Sequence, residues 1–168
     1  MTLEAFKDHP LVQGFSDSDL EALQGVLQPR DYLGDDTIFE EGVTTGGLAL
    51  VSEGVVEVQK QTDHGRPHTI ATLSAMTVLG EIEFLSGSRA TATVRAKTAV
   101  SSQFLPRSEF VDWLDAGHPC AAKLTFNIGR VLARRLEETN LALIRLVKPE
   151  EVREFEAFRD KLVTEWNF

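Results

Sequence analysis

The residues best suited to binding a charged ligand lie together in residues 79–96, which read LGEIEFLSGSRATATVRA. Gly80 precedes a short apolar stretch that is expected to begin a helix. The first N–H groups of a helix have no intrahelical partner and carry a partial positive charge. The Glu81 carboxylate can accept hydrogen bonds from sugar hydroxyl groups, and the Arg89 guanidinium can pair with a phosphate oxygen. These features together predict a phosphate-binding site.

The whole chain has the composition of one ordinary globular domain. It has 168 residues, of which 42% are hydrophobic and 26% charged, enough for a single core and a short appendage. No apolar run approaches the roughly 20 residues that span a bilayer, and the N-terminus has no signal-peptide pattern. The single cysteine, Cys120, cannot form an internal disulfide. These features predict a cytoplasmic protein that does not enter a membrane.

The charge of the chain argues against direct DNA binding. The formal net charge is −9, whereas sequence-independent binding to nucleic acid requires a basic face. Arg130, Arg134 and Arg135 lie close together, but Glu137 and Glu138 follow at once. We therefore interpret this cluster as a solvated helix face.

The pattern around residues 79–96 predicts the elements that position them. Residues 3–27 are predicted to be helical, with Ser16 as an N-cap and Pro29 ending the segment. Residues 30–104 consist of short alternating runs separated by glycine turns, which is typical of a small β-sandwich or barrel. A short helix is expected over residues 108–117, and Pro119 suits the first turn of a long helix that reaches toward Val147.

The long helix carries a heptad pattern. Seven residues recur at alternating steps of four and three, namely Thr125, Gly129, Leu132, Leu136, Thr139, Leu143 and Leu146. This seam predicts a homodimer through two paired helices, and the alternative is that the stripe packs on its own β-domain. After Pro149, residues 148–168 form a predicted amphipathic helical tail that either docks a partner protein or folds back. The predicted organisation is therefore one domain over residues 1–147 and the tail over residues 148–168.

Residues 79–96, the β-region before them and the long helix after them occur in the order found in the cyclic-nucleotide-binding domain family. The chain resembles this family over residues 11–146. The resemblance implies a mainly β fold with flanking helices: a jelly-roll-like β-roll followed by a long C-terminal helix. It also implies a cyclic nucleotide as ligand, cAMP first and cGMP second, with no metal. By the resemblance, Glu81 binds the ribose 2′-hydroxyl, and N–H groups near Gly80–Ile82 and at the next strand start hold the phosphate.

The arginine departs from the family pattern. When Ala92 to Ala96 are aligned on the family's strand, Ala90 falls at the arginine position and Arg89 lies one residue early. Because a shift of one residue turns a strand side chain to the opposite face, Arg89 binds phosphate only if a shorter turn restores its direction. Thr91, at a small hydroxyl position, is a second phosphate candidate. Glu83 is expected to face solvent, away from Glu81.

The resemblance also assigns a role on the long helix. Arg134, Arg135 and Leu136 are followed by Thr139 and Asn140, a spacing that in the family precedes residues that contact the base of the ligand. Both side chains can donate and accept hydrogen bonds. The alternative is that Thr139 is a polar member of the seam and that Asn140 is solvated.

These observations predict a cyclic-nucleotide sensor, most specifically for cAMP, that acts as a homodimer and moves its long helix and tail to regulate a partner. The segment after the long helix is expected to be too short for the helix-turn-helix of the family's transcription regulators. The alternative is a degenerate roll that binds no nucleotide and serves as a protein-interaction module.

An enzyme is not expected. A metal enzyme on a similar roll would need clustered histidines, whereas His64 and His68 flank a turn without a third ligand. A helix start could stabilise the Cys120 thiolate, but the sequence offers it no catalytic partner.

Overall fold

The computed structural model describes residues 7–62 and 66–146, and the predicted tail (residues 148–168) lies outside them. The chain divides into two compact units, Met1–Val131 and Leu132–Phe168. The first unit contains a β-roll with its helices. The described part of the second unit is the last portion of one long helix.

Residues 7–27 contain two short elements rather than one continuous helix, and residues 3–6 of the predicted helix lie outside the described ranges. A 3₁₀ turn covers Pro10–Val12, and helix α1 covers Asp17–Val26. Gly14, with φ of +77°, lies in the break between them. Ser16 is the N-cap, as predicted: its Oγ accepts from the Asp19 N–H at 3.2 Å, while Asp19 Oδ2 accepts from the Ser16 N–H at 2.7 Å. This reciprocal capping box defines where α1 begins.

Within residues 7–62 and 66–146, eight strands form the two sheets of the roll, which confirms the predicted mainly β fold. They are β1 (Gln28–Tyr32), β2 (Thr37–Phe39), β3 (Gly47–Glu53), β4 (Val55–Gln61), β5 (Pro67–Ser74), β6 (Thr77–Leu79), β7 (Thr93–Ala96) and β8 (Val100–Pro106). One antiparallel sheet has the order β1-β8-β3-β6 and the other has the order β2-β7-β4-β5. Strands that are far apart in sequence are thus neighbours, for example β3 and β8.

The core contains apolar side chains from both sheets, including Phe39, Val51, Val56, Val94 and Phe104. Strand β3 is buried without interruption from Gly47 to Val51. A half-covered strand would alternate instead. The continuous burial arises because β3 faces this core on one side and is contacted by the helices after β6 and β8 on the other.

In the described residues one further helix lies between two strands and two helices follow the last strand. Helix α2 (Glu81–Ser86) connects β6 to the loop before β7, and helix α3 (Arg107–Asp115) follows β8 directly. Helix α4 (Pro119–Leu146) begins at the predicted proline. In the first unit, Asn127 on α4 is buried and donates from Nδ2 to the carbonyl oxygens of Leu11, at 2.8 Å, and Gln13, at 2.9 Å. These bonds attach the start of α4 to the N-terminal segment.

Candidate functional site

Gly80 is the turn that joins β6 to α2, and its position requires glycine. Its φ of +81° lies in the left-handed region. A Cβ at this position would lie 3.1 Å from the Phe39 ring and 3.2 Å from the Gly47 carbonyl oxygen. The chain therefore passes closely over β3, and the residue that follows begins α2 at the wall of the roll.

Glu81 is the first residue of α2, and its side chain is buried, with 5% of the residue exposed. Buried carboxylates are uncommon unless hydrogen bonds or charges satisfy them. The neighbouring Ile82 is 46% exposed. Glu81 is thus held within the cassette (residues 79–96), and its assignment to a ribose hydroxyl remains a prediction.

Glu83 does not face solvent, so that expectation was wrong. Only 7% of the residue is exposed, and its Oε1 accepts two hydrogen bonds from Thr91. The Thr91 N–H donates at 2.6 Å and its hydroxyl at 3.0 Å. Gly87, with φ of +71° and its N–H bonded to the Glu83 carbonyl at 2.8 Å, ends α2. The chain then turns back, so that Thr91 covers the side of α2 that helix periodicity alone leaves open.

Arg89 and Ala90 lie on different sides of the returning loop. Ala90 is buried, and its backbone pairs with the loop after β2: its N–H donates to the Val43 carbonyl at 2.9 Å and its carbonyl accepts from Gly42 at 2.8 Å. Arg89 is exposed, and its Nη1 donates to the Gly42 carbonyl at 3.1 Å. The structure thus brings Glu83 and Thr91 together and leaves the Arg89 guanidinium on a neutral carbonyl.

A lysine from β4 contacts the same loop. Lys60 Nζ donates to the Thr91 carbonyl and to Glu41 Oε1, each at 2.6 Å. The Lys60 ammonium is the largest cause holding the pKa of Glu41 below its usual value. This lysine therefore stabilises the backbone of the loop while its charge is paired with a carboxylate.

The far end of α2 is connected to α3. Arg107 Nε donates to the Phe84 carbonyl at 2.9 Å, and the buried Phe84 and Phe110 rings lie 4.7 Å apart between centroids. No motif in the sequence marks these three residues as functional. Their only sequence signal is the apolar character of the two phenylalanines, because contacts between segments so distant in sequence follow no local period. They link the cassette mechanically to the helix that precedes α4.

Thr139 and Asn140 belong to the second unit. Both are exposed, and Thr139 Oγ1 donates to the Arg135 carbonyl one helical turn earlier at 2.7 Å. This back-bond is common for threonine within a helix. The proposed base contact of both residues remains a prediction.

Cys120 and His9 are buried groups outside the cassette. Burial first, and the hydrogen bond to Asp19 second, raise the pKa of the Cys120 thiol to about 11. The suggestion that a helix start stabilises its thiolate was therefore wrong. His9 is fully buried, and its Nε2 donates to the Thr77 carbonyl at 3.1 Å while its Nδ1 accepts from the Leu11 N–H at 3.2 Å.

Residues 7–62 and 66–146 contain no candidate metal site and no candidate membrane-spanning helix. No three His, Cys, Asp or Glu side chains in these ranges are grouped so that they could hold a metal ion. Each helix within them is too short or too polar to cross a membrane.

Comparison with known proteins identifies relatives of the roll. The sequence profile of the cyclic nucleotide-binding domain matches residues 29–116, which run from β1 to the end of α3. A CRP-like cAMP-activated global transcriptional regulator from Mycobacterium tuberculosis is 28% identical over 137 residues, which are 82% of this chain and 59% of that protein. The chain therefore spans less than two thirds of the length of this curated relative.

Solved structures give the same relationship. The Thermus thermophilus catabolite activator protein is 26% identical, with a TM-score of 0.70 over 82% of this chain and 62% of that one. The regulatory subunit of a cAMP-independent protein kinase A from Trypanosoma brucei is 25% identical, with a TM-score of 0.60 over 71% of this chain and 47% of that one.

Proposed function

This chain belongs to the cyclic nucleotide-binding domain family. We propose that it is a regulatory sensor whose cassette binds a cyclic purine nucleotide or a purine nucleoside. The observation that carries the proposal is the construction of α2. Its first residue is the buried Glu81, and its last turn is bonded to α3 through Arg107 and Phe110. A ligand bound at one end of α2 would thereby act on the helix that leads into α4.

The ribose is the part of the ligand that the cassette is best prepared to recognise. A carboxylate accepts hydrogen bonds from neighbouring hydroxyl groups, and Glu81 is already held in a buried position that costs little further ordering. Near the phosphate position we propose the backbone of Gly80 and Ile82, the side chains of Arg89 and Thr91, and Ala90. We also propose Thr139 and Asn140 as the residues for the base.

The relatives differ in what their names say of cAMP. The mycobacterial regulator is described as cAMP-activated, whereas the trypanosomal kinase is described as cAMP-independent. We propose cAMP as the first nucleotide to test and cGMP as the second. Because these relatives differ in their dependence on cAMP, the ligand preference of this chain depends on its own cassette residues.

The proposed response is a shift between two positions of the helices. Moving α2 changes the Phe84–Phe110 ring contact and the hydrogen bond from Arg107. Helix α3 must therefore move with α2, or both contacts between the two helices are lost. A ligand that binds one arrangement more tightly shifts the population toward it. The regulated partner would respond to α4 and to the tail (residues 148–168).

We further propose a cytoplasmic homodimer without enzymatic activity. Along the predicted seam, Leu136 is 54% exposed and Leu143 is 49% exposed in the single chain, and two such helices would cover these side chains. The relatives' names describe regulators rather than enzymes.

A second candidate function is a roll that binds no nucleotide and acts only as a protein-interaction module. Two observations favour it. Ala90 stands at the position where the family has arginine, and the Glu83 carboxylate already accepts both hydrogen bonds from Thr91. Loss of one hydrogen bond to a charged ligand lowers affinity by roughly ten- to a hundredfold.

Titration calorimetry combined with hydrogen exchange distinguishes the two candidates. We expect cAMP, cGMP or a purine nucleoside to bind at up to roughly millimolar concentration and to change amide protection in α3 and at the start of α4. Glu81→Gln should lose most of this binding, whereas Glu21→Gln, at an exposed carboxylate on α1, should not. Failure of all these ligands to bind would leave the interaction module as the function. Unchanged binding by Glu81→Gln would overturn the assignment of Glu81 to the ribose.

A further inference from the structure

The Glu83 carboxylate occupies the hydrogen-bonding position that a ligand phosphate would need. Thr91 has two donors directed at the cassette, its backbone N–H and its hydroxyl, and both bond to Glu83 Oε1, at 2.6 and 3.0 Å. An oxygen of a carboxylate and an oxygen of a phosphodiester accept such bonds in the same way. The two donors of Thr91, which the resemblance places near the phosphate, are therefore satisfied by the protein itself.

The surrounding charges do not favour exchanging this carboxylate for a phosphate. Ala90 supplies no cation, and the Arg89 side chain is exposed and bonded to the Gly42 carbonyl. A phosphodiester that entered would lie close to a carboxylate that is more than nine-tenths buried, and like charges repel more strongly in such surroundings than in water. A cyclic nucleotide must thus displace Glu83 from Thr91 or bind beside it unfavourably.

The second oxygen of the same carboxylate remains available to a ligand. Glu83 Oε2 makes no hydrogen bond with the described residues, and it is not among their fully buried, unsatisfied atoms. It therefore retains access to solvent although most of the residue is buried. An acceptor of this kind requires a donor from the ligand, and the hydroxyl groups of ribose are donors whereas a phosphodiester has none.

We infer that Glu83 is an internal substitute for the ligand phosphate, so that this cassette selects an uncharged purine ribonucleoside over a cyclic nucleotide. The inference rests on the proposed function, since it names the ligand class of the same site. Glu81 and Glu83 Oε2 each accept a hydrogen bond from the sugar, while Thr91 holds Glu83 in place. Cyclic nucleotides are then weak ligands of the same site.

The test measures affinities of adenosine, guanosine, cAMP and cGMP for the whole chain by titration calorimetry. The wild type should bind one nucleoside at least about tenfold more tightly than the matching cyclic nucleotide, the factor that one hydrogen bond to a charged group supplies. Glu83→Ala should reverse the order, raising cyclic-nucleotide affinity roughly ten- to a hundredfold and weakening the nucleoside about tenfold. Adding Ala90→Arg should strengthen cyclic-nucleotide binding again.

Two further variants make the result interpretable. Glu83→Gln removes the charge with little change of shape, so it should raise cyclic-nucleotide affinity even if Glu83→Ala folds poorly. Glu53→Gln, at an exposed carboxylate at the end of β3, should leave the order of ligands as in the wild type. Circular dichroism of each variant confirms that it is folded before it is titrated.

The possible failures are distinguishable. If the wild type prefers a cyclic nucleotide, or if both Glu83 variants leave the ratio of affinities unchanged, the inference is overturned and the sensor function stands. If no ligand binds to the wild type or to any variant, the proposed function fails and the inference fails with it.

Discussion

His9 makes the stability of the fold depend on pH well above the range in which carboxylates titrate. Its imidazole is fully buried, and burial lowers its pKa from 6.5 to about 4. The hydrogen bond from Nε2 to the Thr77 carbonyl opposes this effect only in part. The folded protein therefore keeps His9 neutral in a pH range where the unfolded chain protonates it.

The sign and size of the effect follow from this difference. Above pH 6.5 neither state holds the proton, and stability does not change through His9. As the pH falls from 6.5 toward 4, the unfolded state binds a proton that the folded state excludes, so the free energy of unfolding falls by about 1.36 kcal/mol per pH unit. Over the 1.5 units down to about pH 5, the loss amounts to about 2 kcal/mol.

The carboxylates with lowered pKa values act at lower pH. Bonds from Lys123 and Ser16 hold the pKa of Asp19 well below its ordinary value of 3.8. Contacts with Lys60 and Lys97 lower the pKa values of Glu41 and Glu57 from 4.5. Stability from these carboxylates is present above their unfolded pKa values and is lost only below about pH 4.5. Between pH 6.5 and about 5, the change in the free energy of unfolding therefore reports His9 rather than these carboxylates.

Urea unfolding at several pH values between about 7.5 and 5 measures this prediction. The wild type should lose about 2 kcal/mol. His9→Gln, which cannot titrate, should lose little, and His68→Gln, at an exposed histidine on β5, should behave as the wild type does. A His9→Gln variant with the same pH slope as the wild type would refute the reasoning, as would a wild type whose stability is flat over this range.

Two other predictions concern α4. Leu136→Lys should convert the proposed dimer to a monomer in light scattering, whereas Leu141→Lys, about 140° around the same helix, should not; a monomeric wild type at tens of micromolar would contradict the seam. The Cys120 thiol, buried and with its pKa raised to about 11, should react with a thiol reagent at about pH 8 only after unfolding. If the native protein reacts as fast as a small free thiol, the Cys120 thiol is accessible and the prediction is refuted.

Much of the roll could be predicted because its signals are local. Ser16 caps α1 through bonds to a residue three positions away, and a left-handed glycine was foreseeable where Gly80 joins a strand to a helix. The alternating runs also predicted strands, because the period of two reports which face is buried. The order of the strands within each sheet has no such local signal, and only the structure gives it.

The same reasoning failed where distant segments meet. The predicted N-terminal helix ignored the break at Gly14, whose φ of +77° interrupts regular structure. His9 appeared unremarkable in sequence, yet its partner carbonyl belongs to Thr77 in β6, 68 residues later. Contacts between segments so far apart depend on how the whole chain closes.

The cassette shows most clearly which features follow from the sequence and which depend on the tertiary structure. The sequence by itself determined the family, the Gly80–Glu81 turn and the absence of an arginine at residue 90, since each depends on residue type and spacing. Only the tertiary structure decided that Glu83 is buried and that its carboxylate bonds to Thr91. Helix periodicity gives the direction in which Glu83 leaves α2, but the loop after Gly87 determines what lies there.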